Sequence, residues 1–362
     1  MLVDAAIATQ PHRAFELTEL DLDEPREGEV RVRLAATGVC HTDTKVRDRM
    51  APGAPPIVLG HEGAGVIEAL GPGVEGLAVG DPVVLSFDHC GDCRWCCQGL
   101  PSYCESYEAR NFGGARLDGT TAFRRGDEAV GSHFFGQSAF ATRTNAARAS
   151  VIPAPADVPL ELLAPLGCGV LTGAGAVLNA LDAQPGSAFA VFGAGAVGLS
   201  ALMAAVVAGC ETIIAVDRHP ARLALARELG ATHTIDAGAE DVEARIREIT
   251  RGGLDTALDT TGAPAAFTTM LLSLGTRGRA AGVAGSPSVD FPSQRLLLRG
   301  AGAAMLIQGD AEPHAFIPRL IELWRSGRFP YDRLIRTYPF DEIGRAIDDS
   351  ASGATIKPVL VY

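Results

Sequence analysis

The order of hydrophobic and polar residues divides the chain into two regions with different patterns. Residues 1 to about 160 contain short apolar runs separated by Gly, Pro and acidic residues, such as "EVRVRLAATGV", "PIVLG", "GAGVIEAL" and "DPVVLSF". Short runs of this kind between turn residues are typical of antiparallel sheets. We therefore predict a mostly β, barrel-like region, with residues 118–127, "DGTTAFRRGD", as a surface loop.

After residue 170, apolar strands alternate with helical segments. The first pair is "SAFAVF" followed by a helix that ends at Gly209, and the second is "TIIAVD" followed by "HPARLALARELG". In the second helix Pro220 suits the first turn and Gly230 suits the C-terminal cap. The alternation continues to "GRAAGVAG", which predicts a parallel sheet covered by helices on both faces. Beyond about residue 304 the pattern stops, and two helical stretches lead to a terminal strand, "KPVLVY".

The composition excludes several classes of function. The chain has 362 residues, enough for two domains, and 47% of them are hydrophobic, which argues against disorder. Its net charge of −12 argues against nucleic acid or an anionic membrane as a partner. Residues 183–210 carry no charge, but Pro and Gly interrupt them, so no membrane helix is predicted.

The cysteines are clustered. Five of the eight lie in residues 89–104, "HCGDCRWCCQGLPSYC". The N-terminus lacks a basic segment and Asp4 interrupts its apolar stretch, so we predict no signal peptide and a cytoplasmic location. In a reducing compartment, clustered thiols more often bind metal than form disulfides.

Four of these cysteines have the spacing of a structural zinc site. Four thiolates can surround zinc tetrahedrally and leave no position for a substrate. Cys97 adjoins one of them and is predicted to point away from the metal. The spacing C-x2-C-x2-C-x7-C selects Cys90, Cys93, Cys96 and Cys104.

A second metal site is predicted from residues that lie far apart. Cys40 opens "CHTD", His61 lies in "GHEGAG" and Cys168 lies in "GCGVLTG". Two thiolates and one imidazole could hold zinc with the fourth position open, as catalytic sites do. A single buried cysteine is usually a core residue and a single histidine usually makes an ordinary hydrogen bond, so the hypothesis depends on the three together.

A glycine-rich turn predicts a dinucleotide site. "FGAGAVG" places Gly193, Gly195 and Gly198 between a predicted strand and a predicted helix. Such a turn lets the backbone approach a pyrophosphate at the helix N-terminus. Asp217 ends the next strand 19 residues after Gly198 and suits the ribose hydroxyls of NAD. Arg218 suits the additional phosphate of NADP, so the pattern favours NAD without excluding NADP.

Taken together, these motifs resemble the zinc-dependent medium-chain alcohol dehydrogenase family. The resemblance rests on "GHEGAGVIEALGPGV", the four-cysteine segment, "CHTD", "GCGVLTG" and the glycine turn, and "SFDHCGDCRWC" and "NFGG" look most like benzyl or aryl alcohol dehydrogenases. It implies an α/β fold with two domains. Residues 170–304 would form a doubly wound Rossmann domain that binds NAD, and residues 1–169 and 305–362 a mostly β, GroES-like catalytic domain.

The resemblance also implies an activity, NAD-dependent oxidation of primary alcohols to aldehydes by hydride transfer, with the reverse reaction. Two zinc ions per chain, one catalytic and one structural, and a dimer or tetramer are implied as well. Within the catalytic domain, Asp43 matches the carboxylate that holds the ligand imidazole, and Thr42 matches the hydroxyl that begins a proton relay. Glu62 matches an acid beside the ligand histidine, although an ion pair in the core stays an alternative. Lys45 stands where many relatives have a relay histidine, so the exit of the proton is not predicted.

Further positions are assigned by the resemblance alone. Thr172 would lie near the nicotinamide, and His41 and Lys357 match cations on the pyrophosphate, although either could equally be an ordinary solvated side chain. The substrate pocket would contain Ser86, Phe134 and Phe135. A small serine and two phenylalanines suit an aromatic, allylic or terpenoid alcohol, although the phenylalanines could be core residues only.

Two other functions stay open from the sequence. Oxidation of a thiol adduct of formaldehyde would require a cationic pocket, to which Arg110 or Arg116 could contribute. A non-catalytic protein that binds zinc and a nucleotide would keep the fold but would be expected to lose a ligand of the open site. All three of those ligands are present, which argues against this second alternative.

Overall fold

A computed structural model of the chain describes residues 1–285 and 288–362 and separates them into two units. The first unit contains Met1–Cys168, Glu312–Pro318 and Leu334–Tyr362. The second contains Gly169–Ala311 and Arg319–Arg333. Residues 169, 305–311 and 319–333, which the sequence prediction includes in the catalytic domain, therefore group with the second unit.

The first unit is mostly β. Its strands are β1 (Leu2–Ala8), β2 (Glu16–Leu22), β3 (Glu29–Gly38), β4 (Ile57–Val58), β5 (Gly63–Leu70), β6 (Pro82–Leu85), β7 (Phe123–Arg125), β8 (Glu128–Val130), β9 (Arg143–Ala147), β10 (Val151–Pro153), β17 (Ile335–Pro339) and β18 (Lys357–Val361). One sheet has the order β4-β1-β2-β7-β8. The other has the order β10-β6-β5-β3-β18-β17, with β9 also paired to β3. Alternate residues of β3, including Val30, Val32 and Leu34, enter the core between these strands.

The helices of the first unit are short and lie mainly between strands. They are α1 (His41–Asp48), α2 (Arg94–Cys97), α3 (Tyr107–Phe112), α4 (Leu160–Leu163) and α12 (Ile343–Ser352). Because only two residues separate β3 from α1, the end of a buried strand places Cys40 and the first turn of α1 at the edge of the core.

The predicted surface loop at 118–127 is partly wrong. Strands β7 and β8 pair as an antiparallel hairpin, and the side chain of Phe123 is completely buried. Gly126 has a φ of +59°, a conformation that glycine adopts without steric cost and that a tight hairpin turn requires. The polar composition of the segment therefore reflects its turn, while burial of one aromatic ring fixes its strands.

The second unit is a parallel sheet with helices. Its strands are β11 (Ala188–Phe192), β12 (Thr212–Asp217), β13 (His233–Asp236), β14 (Leu254–Asp259), β15 (Leu274–Gly282) and β16 (Gly302–Met305). Its helices are α5 (Gly169–Gly175), α6 (Ala196–Ala208), α7 (Pro220–Glu228), α8 (Val242–Thr250), α9 (Pro264–Ser273) and α10 (Ser293–Arg299), and α11 (Pro313–Arg325) runs from the first unit into the second. The strand order is β13-β12-β11-β14-β15-β16, and every pair is parallel.

The predicted fold class is confirmed by this arrangement of a mostly β unit and a parallel, Rossmann-like sheet. The strands and helices predicted after residue 170 all occur, and α6 ends before Gly209, whose φ of +81° suits a helix C-terminus.

Among the described residues, no single helix is long and apolar enough to cross a membrane. One bent pair, 160–167 with 169–180, has a sufficient length and composition.

Candidate metal and cofactor sites

The three predicted ligands of the open metal site lie together in the first unit. Cys40 directly precedes α1, His61 lies between β4 and β5, and Cys168 follows a short helical turn that ends at Gly167. Their ligand atoms, with a carboxylate oxygen of Glu62, all lie within 4.8 Å of one another. Residues up to 128 positions apart in sequence are thus assembled into one potential metal site.

Asp43 orients the imidazole of His61. One carboxylate oxygen accepts hydrogen bonds from Nδ1 of His61 (2.8 Å) and from the backbone N–H of Gly60 (3.1 Å). The other accepts from the backbone N–H of Cys40 (2.9 Å), which joins two of the ligand segments through one buried carboxylate. A proton held on Nδ1 leaves the lone pair of Nε2 free for a metal.

The residues fit a metal ion. The Nε2 atom of His61 is buried and has no hydrogen-bond partner among the described residues, which is costly for a polar atom without a ligand. A hydrogen bond from the Cys168 thiol lowers the pKa of Cys40 well below its usual value. Burial opposes a charge on His61, but the Asp43 carboxylate and the Cys40 sulfur raise its pKa well above the usual value. A buried thiolate beside an unpartnered imidazole nitrogen is a donor set that zinc accepts.

Glu62 forms an ion pair with Lys357. The ammonium of Lys357 contacts the Glu62 carboxylate and donates to the carbonyl oxygen of Val39 at 3.2 Å. Both side chains are buried, with 3% of Lys357 exposed, and burial raises the pKa of Glu62. The ion pair that the sequence left open for Glu62 is therefore present, while contact between Lys357 and a pyrophosphate stays a prediction.

Gln137 is a residue of the site that sequence reasoning missed. Its side-chain N–H groups donate to the carbonyl oxygens of His61 and Ser86, and its side-chain oxygen accepts from the N–H of Gly63, each at 3.0 Å. The hydroxyl of Ser86, predicted for the pocket, donates to the carbonyl oxygen of Gly167 at 2.7 Å. No local sequence pattern marks Gln137, because its hydrogen-bond partners are backbone atoms of segments that lie far from it in the sequence.

Phe134 and Phe135 pack against the imidazole of His61. The ring of Phe135 stacks on it at 4.5 Å between centroids, and that of Phe134 meets it edge-on at 5.5 Å. His133 and Phe135 have φ values of +58° and +54°, which non-glycine residues rarely adopt. His133 is held by Glu29, whose carboxylate lies 2.9 Å from its Nε2. Such strain persists only where surrounding contacts hold it, and it is often found at functional sites.

The four clustered cysteines have the geometry of a tetrahedral site. Sulfur atoms bound to one zinc at 2.3 Å lie about 3.8 Å apart. Here Sγ of Cys96 lies 3.8 Å from that of Cys90 and 3.5 Å from that of Cys93, and Cys90 and Cys104 are 3.5 Å apart. Backbone N–H groups lower the pKa of Cys93 to about 6. Cys97 is exposed, and its thiol donates to the carbonyl oxygen of Asp92 instead.

The glycine turn of the second unit fits a dinucleotide. A Cβ on Gly198 would collide with the carbonyl oxygen of Gly193, so this glycine allows the turn to pack on α6. By contrast, a Cβ on Gly195, at the N-terminus of α6, would meet nothing within 4 Å. This open space before a helix N-terminus can admit a pyrophosphate. Asp217 accepts hydrogen bonds from the backbone N–H groups of Ala194 (2.7 Å) and His219 (2.8 Å), which places its carboxylate beside the turn.

The other residues predicted for the proton relay and the cofactor lie in both units. The hydroxyl of Thr42 lies 3.7 Å from Sγ of Cys40. Thr172 donates to the side-chain oxygen of Gln308 at 3.2 Å within the second unit. His41 and Arg218 are exposed. None of these positions tests the cofactor contacts that the resemblance implies.

The two arginines considered for a cationic pocket are already paired with carboxylates. Arg110 lies 3.0 Å from Asp88. Arg116 contacts Glu29, and only 9% of the Arg116 side chain and 8% of the Glu29 side chain are exposed. Each positive charge is therefore largely balanced within the first unit. This pairing argues against a free cationic pocket for a thiol adduct.

Comparison with known proteins agrees with this geometry. Residues 26–156 match the family model described as "Alcohol dehydrogenase GroES-like domain", and residues 196–323 match "Zinc-binding dehydrogenase". Geraniol dehydrogenase of Castellaniella defragrans is 43% identical, over 99% of this chain and 97% of its own. The crystal structure of an alcohol dehydrogenase zinc-binding domain protein from Burkholderia ambifaria has a TM-score of 0.97 at 50% identity, and that of benzyl alcohol dehydrogenase from Acinetobacter calcoaceticus has 0.96 at 46%. Each covers 100% of this chain and 99% of its own.

Proposed function

Since this chain belongs to the zinc-binding alcohol dehydrogenase family, we propose that it oxidises aromatic, allylic or terpenoid primary alcohols to aldehydes with NAD, and catalyses the reverse reaction. The observation that carries the proposal is the convergence of Cys40, His61 and Cys168, with Nε2 of His61 buried and without a partner among the described residues. Two family relatives, named as geraniol and benzyl alcohol dehydrogenases, support the substrate class.

Cys40, His61 and Cys168 would hold the catalytic zinc. Zinc bound there supplies a Lewis acid, which makes the hydroxyl proton of an alcohol easier to remove. Asp43 keeps a proton on Nδ1 of His61 and so holds the ring in the orientation that a metal requires. Thr42 would accept the substrate's proton at Oγ1, and the position of its hydroxyl beside the Cys40 sulfur supports this role. Phe134 and Phe135 cover the imidazole with apolar rings and exclude water from that side.

The second unit would bind NAD at the Gly193–Gly198 turn. NAD, when bound, accepts the hydride. Asp217 would accept hydrogen bonds from the adenosine ribose, and its negative charge would disfavour the extra phosphate of NADP. The open space at Gly195 supports this position for the pyrophosphate.

A panel of alcohols assayed with NAD and with NADP tests the proposal. We expect kcat/KM with NAD to be roughly 10- to 100-fold higher for benzyl alcohol or geraniol than for ethanol, because each apolar group that a pocket contacts adds discrimination. Formation of reduced cofactor is followed by absorbance. Preference for ethanol would refute the substrate class, and failure of a protein with two bound zinc ions to oxidise any alcohol would refute the function.

We also propose that two copies associate through β16. This strand pairs only with β15 among the described residues and leaves its other edge open. Four large apolar residues that lie in or near it are exposed: Leu297 (79%), Leu298 (81%), Met305 (53%) and Ile307 (41%). An open edge strand with apolar neighbours favours pairing with another chain, and a second copy offers the same surface with two-fold symmetry.

Introducing negative charge at this surface tests the proposed association of two copies. Leu298→Asp combined with Met305→Asp is expected to convert a dimer or tetramer into a smaller species, because carboxylates would face each other across the two-fold axis. The mass in solution is measured by light scattering. Leu117→Asp, at a residue of the first unit that is 61% exposed, is the matched control. A monomeric wild type, or an unchanged mass in the double variant, would refute this interface.

The proposed location is the cytoplasm. All eight cysteines are free thiols, and a reducing compartment keeps thiolate zinc ligands from oxidation. Fractionation of cells that produce the protein would refute this location if the protein were found outside the cytoplasm.

A further inference from the structure

Phe112 is an aromatic residue that the proposed mechanism does not use. It ends α3, and 46% of it is exposed, although its ring has three aromatic neighbours. Its centroid lies 5.0 Å from that of Phe135, 6.0 Å from that of Phe134 and 6.3 Å from that of Tyr107, all at steep interplanar angles. Those three neighbours are buried. Phe112 therefore continues an aromatic cluster from the core of the first unit to its surface.

This cluster extends from the proposed metal site. Phe135 stacks on His61 at 4.5 Å, and Phe112 is 5.0 Å from Phe135, so the centroids of Phe112 and His61 are at most 9.5 Å apart. An extended ten-carbon alcohol with an eight-carbon main chain is about 10 Å long, from ordinary carbon–carbon bond lengths. A five-carbon allylic alcohol is about half that length. The longer molecule can therefore span this separation even at its upper limit, whereas the five-carbon alcohol spans about half of that limit.

The backbone beside Phe112 is anchored by hydrogen bonds of the preceding residue. The preceding residue, Asn111, is completely buried. Its side chain accepts from the N–H of Asp88 (2.8 Å) and donates to the carbonyl oxygens of Asp88 (2.9 Å) and Tyr107 (2.8 Å). Because this backbone is anchored before a ligand arrives, binding at Phe112 orders fewer groups and costs less conformational entropy.

We propose that Phe112 is a specificity-determining residue that contacts the far end of a long unsaturated alcohol and favours it over a short one. The inference rests on the proposed alcohol dehydrogenase function. An exposed aromatic face binds an alkene or a second ring by apolar and edge-to-face contact. Selectivity for chain length therefore depends on a residue that the five-carbon alcohol does not reach.

The test compares geraniol with 3-methyl-2-buten-1-ol, which has the same allylic end and five fewer carbons. In Phe112→Ala the ratio of kcat/KM for the long alcohol to kcat/KM for the short one is expected to fall about 3- to 10-fold. A decrease of this size corresponds to the loss of one aromatic contact, and it should arise mainly from a higher KM for the long alcohol. Phe112→Leu keeps an apolar side chain for folding and is expected to lower the ratio as well. Phe112→Tyr keeps the ring and is expected to restore it.

Leu117→Ala is the matched control, since Leu117 is exposed in the same unit and makes none of these ring contacts. Its ratio should equal that of the wild type. An unchanged ratio in both Phe112→Ala and Phe112→Leu, or equal losses for the two alcohols, would overturn the inference while leaving the proposed function intact. A wild type that oxidises neither alcohol would instead refute the proposed function.

Discussion

Cys40→Ser is expected to lower kcat by at least about 1,000-fold and to reduce the zinc content from two ions per chain to one. A serine hydroxyl binds zinc much more weakly than a thiolate does. Loss of zinc removes the Lewis acid, which lowers the activation free energy by several kcal/mol. The protein should remain folded, since Cys40 precedes α1 and lies outside the paired strands of both sheets. Turnover, metal analysis and a thermal melt are the three measurements.

The control for this variant is Cys210→Ser. Cys210 is another buried thiol, 3.4 Å from the hydroxyl of Ser187, and it belongs to neither cysteine cluster. It should retain both zinc ions and most of the activity. Wild-type turnover in Cys40→Ser would show that Cys40 is not a ligand of a catalytic metal.

Cys93→Ser is expected to cost stability, with loss of the structural zinc and a melting temperature about 5–10 °C lower. The segment from Cys90 to Cys104 has only one four-residue α-helix, α2, and the four sulfurs are the groups that a metal would join. Metal binding at such a site contributes directly to folding free energy. A loss of a few kcal/mol corresponds to a shift of this size in a protein larger than about 150 residues.

The adjacent thiol provides the control for this second variant. Cys97→Ser changes an exposed cysteine that lies four residues after Cys93, and the Cys97 thiol donates a hydrogen bond to the backbone carbonyl of Asp92. We expect no change in zinc content or melting temperature. If the two variants melted at the same temperature and held two zinc ions each, the four-sulfur site would not be structural.

Local patterns predicted much of the fold. The strand–turn–helix order after residue 170 follows from apolar runs of strand length between helices, and the structure places β11, α6 and β12 at the predicted positions. The four-cysteine spacing is also a local signal, because a segment this short can bring all four sulfurs within 4.8 Å of one another only by folding around a common centre. The sequence pattern did not predict the hairpin of β7 and β8, because the segment contains many turn residues and only one aromatic residue, Phe123, whose burial fixes the strands.

The sequence by itself determined the two-part architecture, the cysteine cluster and the glycine turn, because these depend on residues close together in the chain. Only the tertiary structure decided that Glu62 pairs with Lys357, that Gln137 joins three backbone segments, and that Phe112 lies within two ring contacts of His61. These contacts join residues 23 to 295 positions apart. No local spacing encodes such contacts, since they arise only when sheets and loops from distant parts of the chain pack together.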